Sequence, residues 1–270
     1  MKPENDYINT NRTLWNAKVD AHIASDFYAN EAFKIHRNTL NSIELDLLGD
    51  IKGKKILHLQ CHFGQDSLSL ASQGAAVVGV DFSEKAIGYA QKLNDELQLD
   101  AQFICCNILD LKHHLDQTFD LVFTSYGTIG WLDDLQKWAD IVAHFLNPNG
   151  SFVMADFHPF LWSFDNDFDR IGYSYFNTKP IVEQEQGTYA DRNANINLTS
   201  ISFNHSLAEL FEALLNHHLE IKIFKEFDYS PYNCFNKTTE IAPNKFQIEH
   251  LKGQIPMVYA LKCTKKTNTA

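Results

Sequence analysis

The sequence predicts an α/β fold built on a mostly parallel sheet, and three observations between Lys54 and Phe82 predict it. A short apolar run, Ile56-Leu57-His58-Leu59, follows the Lys-Gly-Lys-Lys punctuation at 52–55 and has the length of a strand. After the tight segment Gln60-Cys61-His62-Phe63-Gly64, the residues Leu68, Leu70 and Ala71 recur at helical spacing and Gly74 stops the helix. A second run, Ala76-Val77-Val78-Gly79-Val80, is apolar throughout, as a strand buried on both faces is, and Asp81 closes it. Strand, glycine-containing turn, helix, strand and terminal acid form a right-handed βαβ unit suited to a nucleoside. The turn offers backbone N–H groups and the carboxylate accepts hydrogen bonds from ribose hydroxyls.

Asp81 lies 17 residues after Gly64, near the offset of about 20 found in dinucleotide sites. The turn holds one glycine, so G-x-G-x-x-G is not met and a pyrophosphate lacks its close backbone approach. A nucleoside without phosphates is favoured over NAD.

From the N-terminus, Leu14, Trp15, Val19, His22, Ile23 and Phe27 fall near one helical stripe, and a second helix is expected from Ala32 to Leu48, ended by Gly49. Beyond Asp81, Ser83 caps a helix from Glu84 to about Leu97. Ala101–Cys105 reads as the third strand and Phe119–Thr124 as the fourth, with Ser125-Tyr126-Gly127-Thr128 at its carboxyl end, where open parallel sheets bind ligands. A helix carrying Leu135, Trp138, Ile141, Val142 and Phe145 ends at Asn147-Pro148-Asn149-Gly150, and residues 151–155 form the fifth strand, with Asp156-Phe157-His158-Pro159 at its end.

From Phe160 to Phe203 the pattern changes to short strands, Ile171–Phe176, Ile181–Glu185 and Leu198–Phe203, joined by polar turns. Asn204-His205-Ser206 opens an amphipathic helix with Leu207, Leu210, Phe211, Leu214 and Leu215 on one side and Glu209 three residues after the Ser cap. Leu219–Phe224 and Met257–Cys263 are the sixth and seventh strands, and residues 227–254 between them are too long for a mere connection.

The segment resembles the first two motifs of the class I S-adenosylmethionine-dependent methyltransferases, and LHLQCHFGQDSLSLA is similar to a methyltransferase-domain subgroup of that family. FICCNILDL, FDLVFTSYGTIGWLDDL and LNPNGSFVMADFHP are similar, in order, to its later motifs, so the resemblance covers roughly residues 50–160. It implies a Rossmann-like, seven-stranded, mostly parallel sheet with an antiparallel last strand. It also implies an N-terminal helical lid over residues 1–50, a methyltransferase domain over 51–270 and a β-rich, substrate-side insertion over 160–204.

The implied cofactor is S-adenosyl-L-methionine. Gln60, Cys61, Gly64, Asp81, Phe82, Asn107, Ile108, Ser125 and Trp15 would hold it, with Asp81 on the ribose, Phe82 against the adenine and Asn107 at the adenine amino group. Where the family carries an acid and two further glycines this chain has His58, Gln60 and His62, so the methionine ammonium is met by other groups, Gln60 and backbone carbonyls among them. Tyr28, Thr128 and His205 are the substrate-side candidates, and Tyr126 and His158 the catalytic ones, histidine titrating near neutral pH. The lid aromatics have a plainer alternative, that they only seal the helices onto the sheet.

Composition narrows the classes. The chain of 270 residues allows one elaborated α/β domain, and a formal charge of −11 speaks against a phosphate backbone as partner. No apolar run reaches a membrane span, the polar N-terminus lacks a signal sequence, and five cysteines without paired spacing fit a reducing compartment, so a cytoplasmic protein is expected. No metal is expected, since no His or Cys pair stands at chelating spacing. The partner expected is a small-molecule acceptor for O- or N-methylation, without nucleic acid or membrane, and a homodimer is compatible. The competing readings are a catalytically silent cofactor- or partner-binding protein on the same fold, and a nucleotide-dependent oxidoreductase, which the missing glycines disfavour.

Overall fold

The computed structural model describes residues 4–266. Three helices lead: α1 (Glu4–Ala24), α2 (Asn30–His36) and α3 (Ser42–Leu48). The single helix expected over 32–48 is broken because Asn41 caps α3. Glu44 reaches back to the Asn41 N–H at 2.6 Å, a capping box that starts a new helix rather than continuing the old one.

The βαβ unit follows as β1 (Lys55–Leu59), α4 (Gln65–Ser72) and β2 (Ala76–Asp81), then α5 (Glu84–Leu97), β3 (Gln102–Cys105), β4 (Phe119–Ser125), α6 (Leu135–Phe145) and β5 (Leu146–Phe157). Ser83 caps α5 as expected, its hydroxyl accepting the Ala86 N–H. The remainder comprises β6 (Ile181–Gln186), β7 (Asn197–Ser202), α7 (Leu207–Asn216), β8 (Leu219–Phe227), β9 (Thr238–Ala242), β10 (Lys245–Ile248) and β11 (Val258–Lys265).

Seven strands form the main sheet in the order β3-β2-β1-β4-β5-β11-β8, and the last, β11, runs antiparallel to both neighbours, as expected. One face packs on α6 and α7 through Leu135, Trp138, Leu210 and Leu214; the other packs on α3, α4 and α5 through Leu47, Leu68 and Leu93. Both faces of β1, β2 and β4 are therefore dry, which is why their sequences read as continuous apolar runs. The strand order reverses between β1 and β4, so a crevice opens beyond their carboxyl ends.

Two regions depart from expectation. Ile171–Phe176 is no strand; Ile171 makes only an isolated bridge to Phe164, and Ile171 and Phe176 are exposed, leaving the segment no sheet to join. Within 227–254 stands the β9–β10 hairpin, turning at Pro243-Asn244, with Asn244 in the left-handed region at φ 56°. The β6–β7 hairpin pairs only with itself. The lid helix α1 is fastened to it: the Asn11 side chain donates to the Ile201 carbonyl at 2.8 Å and accepts the Ile201 N–H at 3.0 Å, and Lys18 forms an ion pair with Glu185.

Candidate functional site

Beyond the carboxyl ends of β1, β2, β4 and β5 lies a cavity of ≈ 1210 Å³, floored by the strand ends and covered by α1, the β6–β7 hairpin and the chain around Tyr232. The β1–α4 turn forms its centre. Gln60, His62 and Gly64 all have positive φ, at 54°, 51° and 84°, so two non-glycine residues adopt a conformation costing about 1 kcal/mol each. Gly64 itself is required by packing. A Cβ there would stand 2.8 Å from the Phe103 ring and 2.9 Å from Ala90, before it met anything in the cavity.

Asp81 ends β2 at the cavity wall, 7% exposed, its carboxylate accepting the N–H groups of His62 and Ser83 at 2.9 Å each. Burial pushes its pKa up to about 6, against those two bonds and one from Phe82. Phe82, Asn107 and Ile108 line the cavity beside it.

The β4 end is organised by Asp156, a buried carboxylate that accepts the Gly127 N–H, the Thr128 N–H at 3.2 Å and the Thr128 hydroxyl at 3.0 Å. Burial raises its pKa while those bonds and the Phe157 N–H oppose the shift. The loop presents Tyr126, at φ 38°, whose hydroxyl donates to Glu44 Oε2 at 2.8 Å. Glu44 is fully buried, and burial pushes its carboxyl up to about 7 against the Asn41 N–H.

On the lid side Trp15 packs edge-on against His62 and Trp131, and His22 Nδ1 lies 2.9 Å from His62 Nε2. Burial, reinforced by the Lys18 charge, pushes His22 down to about 3; burial, then His22 and Lys18, pushes His62 well below its usual value. Both shifts favour the uncharged rings, and the contact between them joins the lid to the turn. Tyr28 shares a hydroxyl bond with Tyr189 at 2.5 Å, and its carbonyl accepts from Gln65 at 2.9 Å.

Trp15, Tyr28, Gln60, Cys61, Gly64, Asp81, Phe82, Asn107, Ile108, Ser125, Tyr126, Thr128 and His205 all line this one cavity. His158 does not. Its N–H continues the pairing with β11 through the Met257 carbonyl; Nε2 lies 3.0 Å from Glu226 and Nδ1 accepts the Phe160 N–H at 3.1 Å, which turns the ring away. His205 lines the cavity with both nitrogens engaged, Nε2 to the Leu132 carbonyl at 2.7 Å and Nδ1 to Glu209 at 2.9 Å. Sequence reasoning missed Glu44 and Asp66, both near Tyr126 and Ser125; the Asn41-Ser42-Ile43-Glu44 capping-box pattern was the available signal for the first. Among the described residues no group of His, Cys, Asp and Glu is arranged to hold a metal ion, and no helix is long and apolar enough to cross a membrane.

Residues 56–150 match the family described as methyltransferase domain. An uncharacterised methyltransferase of Synechocystis sp. is 36% identical over 126 residues, covering 46% of this chain and 57% of that protein. The ubiquinone biosynthesis O-methyltransferase of Coxiella burnetii is 31% identical over 105 residues, 39% of this chain and 44% of that one. The chain thus spans about half the length of the curated relatives it matches. A crystal structure of an S-adenosylmethionine-dependent methyltransferase from Mesorhizobium loti superposes with a TM-score of 0.55 at 18% identity, over 81% of this chain and 94% of that one. Residues 56–150 therefore match the methyltransferase-domain family, and the seven-stranded, Rossmann-like sheet shares its fold with solved S-adenosylmethionine-dependent methyltransferases.

Proposed function

We propose that this protein is an S-adenosylmethionine-dependent methyltransferase acting on a small-molecule acceptor through oxygen or nitrogen. The observation that carries the reading is the cavity at the sheet's switch point, with the Asp81 carboxylate in its wall and the Gln60–Gly64 turn as its floor. The residues fit such a cofactor. Asp81 keeps acceptor capacity beyond its two backbone bonds, and Gln60 Oε1, His58 Nε2 and His62 Nδ1 are buried atoms without a partner within the protein. When bound, the cofactor supplies a methyl group already activated on a sulfonium.

The protein's task is then to hold an acceptor in line and exclude water. The cavity exceeds the several hundred Å³ of an ordinary ligand pocket, leaving space for an acceptor beneath the 160–204 insertion. Phe27, Tyr189, Tyr232 and Trp162 line it and suit a flat or apolar acceptor. Tyr126 with Glu44 behind it offers a proton route: a hydroxyl or ammonium acceptor passes its proton to the Tyr126 oxygen while Tyr126 passes its own to Glu44. A carboxyl near 7 suits that role at neutral pH. Residues 1–50 act as the lid and 51–270 as the catalytic unit. The sequence similarity to an O-methyltransferase supports an oxygen acceptor.

Isothermal calorimetry with S-adenosylhomocysteine tests the reading. Binding is expected, and Asp81→Asn should weaken it by about 1 to 2 kcal/mol. A protein that binds neither S-adenosylmethionine nor S-adenosylhomocysteine has a different function.

A further inference from the structure

We propose that Asp66, rather than any residue of β1, carries the negative charge that receives the ammonium group of the cofactor's aminoacyl end. The inference rests on the methyltransferase reading and assigns one subsite within it.

Asp66 stands in the first turn of α4, two residues after Gly64, and lines the cavity between the ends of β1 and β4. Its carboxylate is held in place by two hydroxyl donors, Thr39 at 2.6 Å to Oδ1 and Ser125 at 3.0 Å to Oδ2. Each oxygen keeps further acceptor capacity. Among the described residues no ion pair joins Asp66 or the neighbouring Glu44 to a lysine, arginine or histidine. Burial first, and then the Asp66 carboxylate, raises Tyr232; Asp66 adds to the burial-driven rise of Glu44, which the Asn41 N–H opposes, and makes the smallest contribution to the rises of Tyr28 and Tyr126.

A second observation points to a ligand. His58, in β1 where a carboxylate would otherwise be expected, is 2% exposed and lines the cavity; Nδ1 lies 2.8 Å from Ser67 Oγ and Nε2 has no partner. Gln60 donates through Nε2 to the Thr128 carbonyl at 2.8 Å, which leaves Oε1 as a buried, unpartnered acceptor on the same turn. An ammonium brings three N–H donors and no acceptor. Asp66 and Gln60 Oε1 supply acceptors for it. His58 Nε2 completes the set in either tautomer, as an acceptor for the ammonium or a donor to the adjoining carboxylate.

The test compares two ligands that share the adenosine thioether. S-Adenosylhomocysteine carries the ammonium and carboxylate; 5′-methylthioadenosine lacks both. Calorimetric titration of the wild type and Asp66→Asn should show S-adenosylhomocysteine affinity falling roughly 10- to 100-fold while that of 5′-methylthioadenosine stays within about 2-fold. Equal loss for both ligands, or no loss, overturns the assignment. A wild type that binds neither ligand overturns the methyltransferase reading itself, a different outcome from the first two. Should Asp66→Asn fail to fold, S-adenosylhomocysteine and its deaminated analogue are compared on the wild type and on Thr39→Val, which removes one of the bonds positioning Asp66. The amino group should confer tighter binding on the wild type and a smaller advantage on the variant; an amino group that confers nothing, or an undiminished advantage, overturns the proposal.

Discussion

The floor and the cover of the cavity are built by different physics. The floor is the set of strand ends and turns beyond β1, β2, β4 and β5, each continuous with a strand buried on both faces and braced by buried carboxylates: Asp81 under the Gln60–Gly64 turn, Asp156 under Gly127 and Thr128, Glu44 under Tyr126. The cover is a two-stranded hairpin paired only with itself, with Val182 of β6 exposed and the exposed Ile171 and Phe176 in the chain before it. Buried carboxylates that accept several backbone and hydroxyl donors fix the loops they hold, whereas a half-exposed hairpin of that kind is marginal alone. On the proposed reading, the braced floor would hold the cofactor and the more exposed cover would shape the acceptor's space.

The sharpest way to break the contrast is to add one methyl group on each side. Gly64→Ala forces a Cβ to 2.8 Å from Phe103 at φ +84°, and should cost about 3 kcal/mol or more in urea unfolding. Gly172→Ala in the cover meets nothing nearer than 3.6 Å and should stay within about 0.5 kcal/mol. Equal effects would remove the distinction.

Asp156→Ala leaves the Gly127 and Thr128 donors without their buried acceptor and should cost about 2 to 3 kcal/mol. Hydrogen exchange should show the 126–130 loop opening while the β6–β7 hairpin is unchanged.

Glu44 sharpens the comparison through pH. Its carboxyl is raised from 4.5 to about 7 in the folded protein, so the unfolded chain releases the proton first. The stability it contributes is complete below pH 4.5 and is lost as pH rises through 7. Against Glu44→Gln, the wild type should lose about 2 kcal/mol between pH 4.5 and 7.5 in pH-resolved denaturation; parallel profiles would show that Glu44 is not held protonated. The smallest effect belongs to the cover: Ile171→Ser, at a side chain 68% exposed, should change stability by less than about 0.5 kcal/mol.

Much of the floor was legible because its physics is local. Ile56–Leu59 and Ala76–Val80 announce buried strands, and Gly64 and Asp81 mark the turn and the strand end that line the cavity. Of the cover, the β6 and β7 strands were readable, but the segments around them were not, because their order depends on contacts distant in sequence: Ile171–Phe176 has strand composition without a partner strand, while Thr238–Ile248 forms a hairpin whose Pro-Asn turn was readable but lay in an otherwise patternless stretch. His158 misled for a related reason. Its type and position suit catalysis, but only the fold reveals that Glu226 and the Phe160 N–H occupy its ring. Glu44 and Asp66 escaped as site residues because local pattern marks only their helices, α3 by its capping box and α4 by its spacing after Gly64, while their contacts with Tyr126 and Ser125 come from a strand end 82 and 59 residues further on.

The fastening of Asn11 to Ile201 and of Lys18 to Glu185 has a consequence for turnover. On the proposed methyltransferase reading, these fastenings would make α1 and the β6–β7 hairpin move as one door, so that spent nucleoside and methylated product would leave by a shared movement rather than through independent exits. Release of either would then report on the other, and cutting the tether at Asn11 should uncouple the two departures.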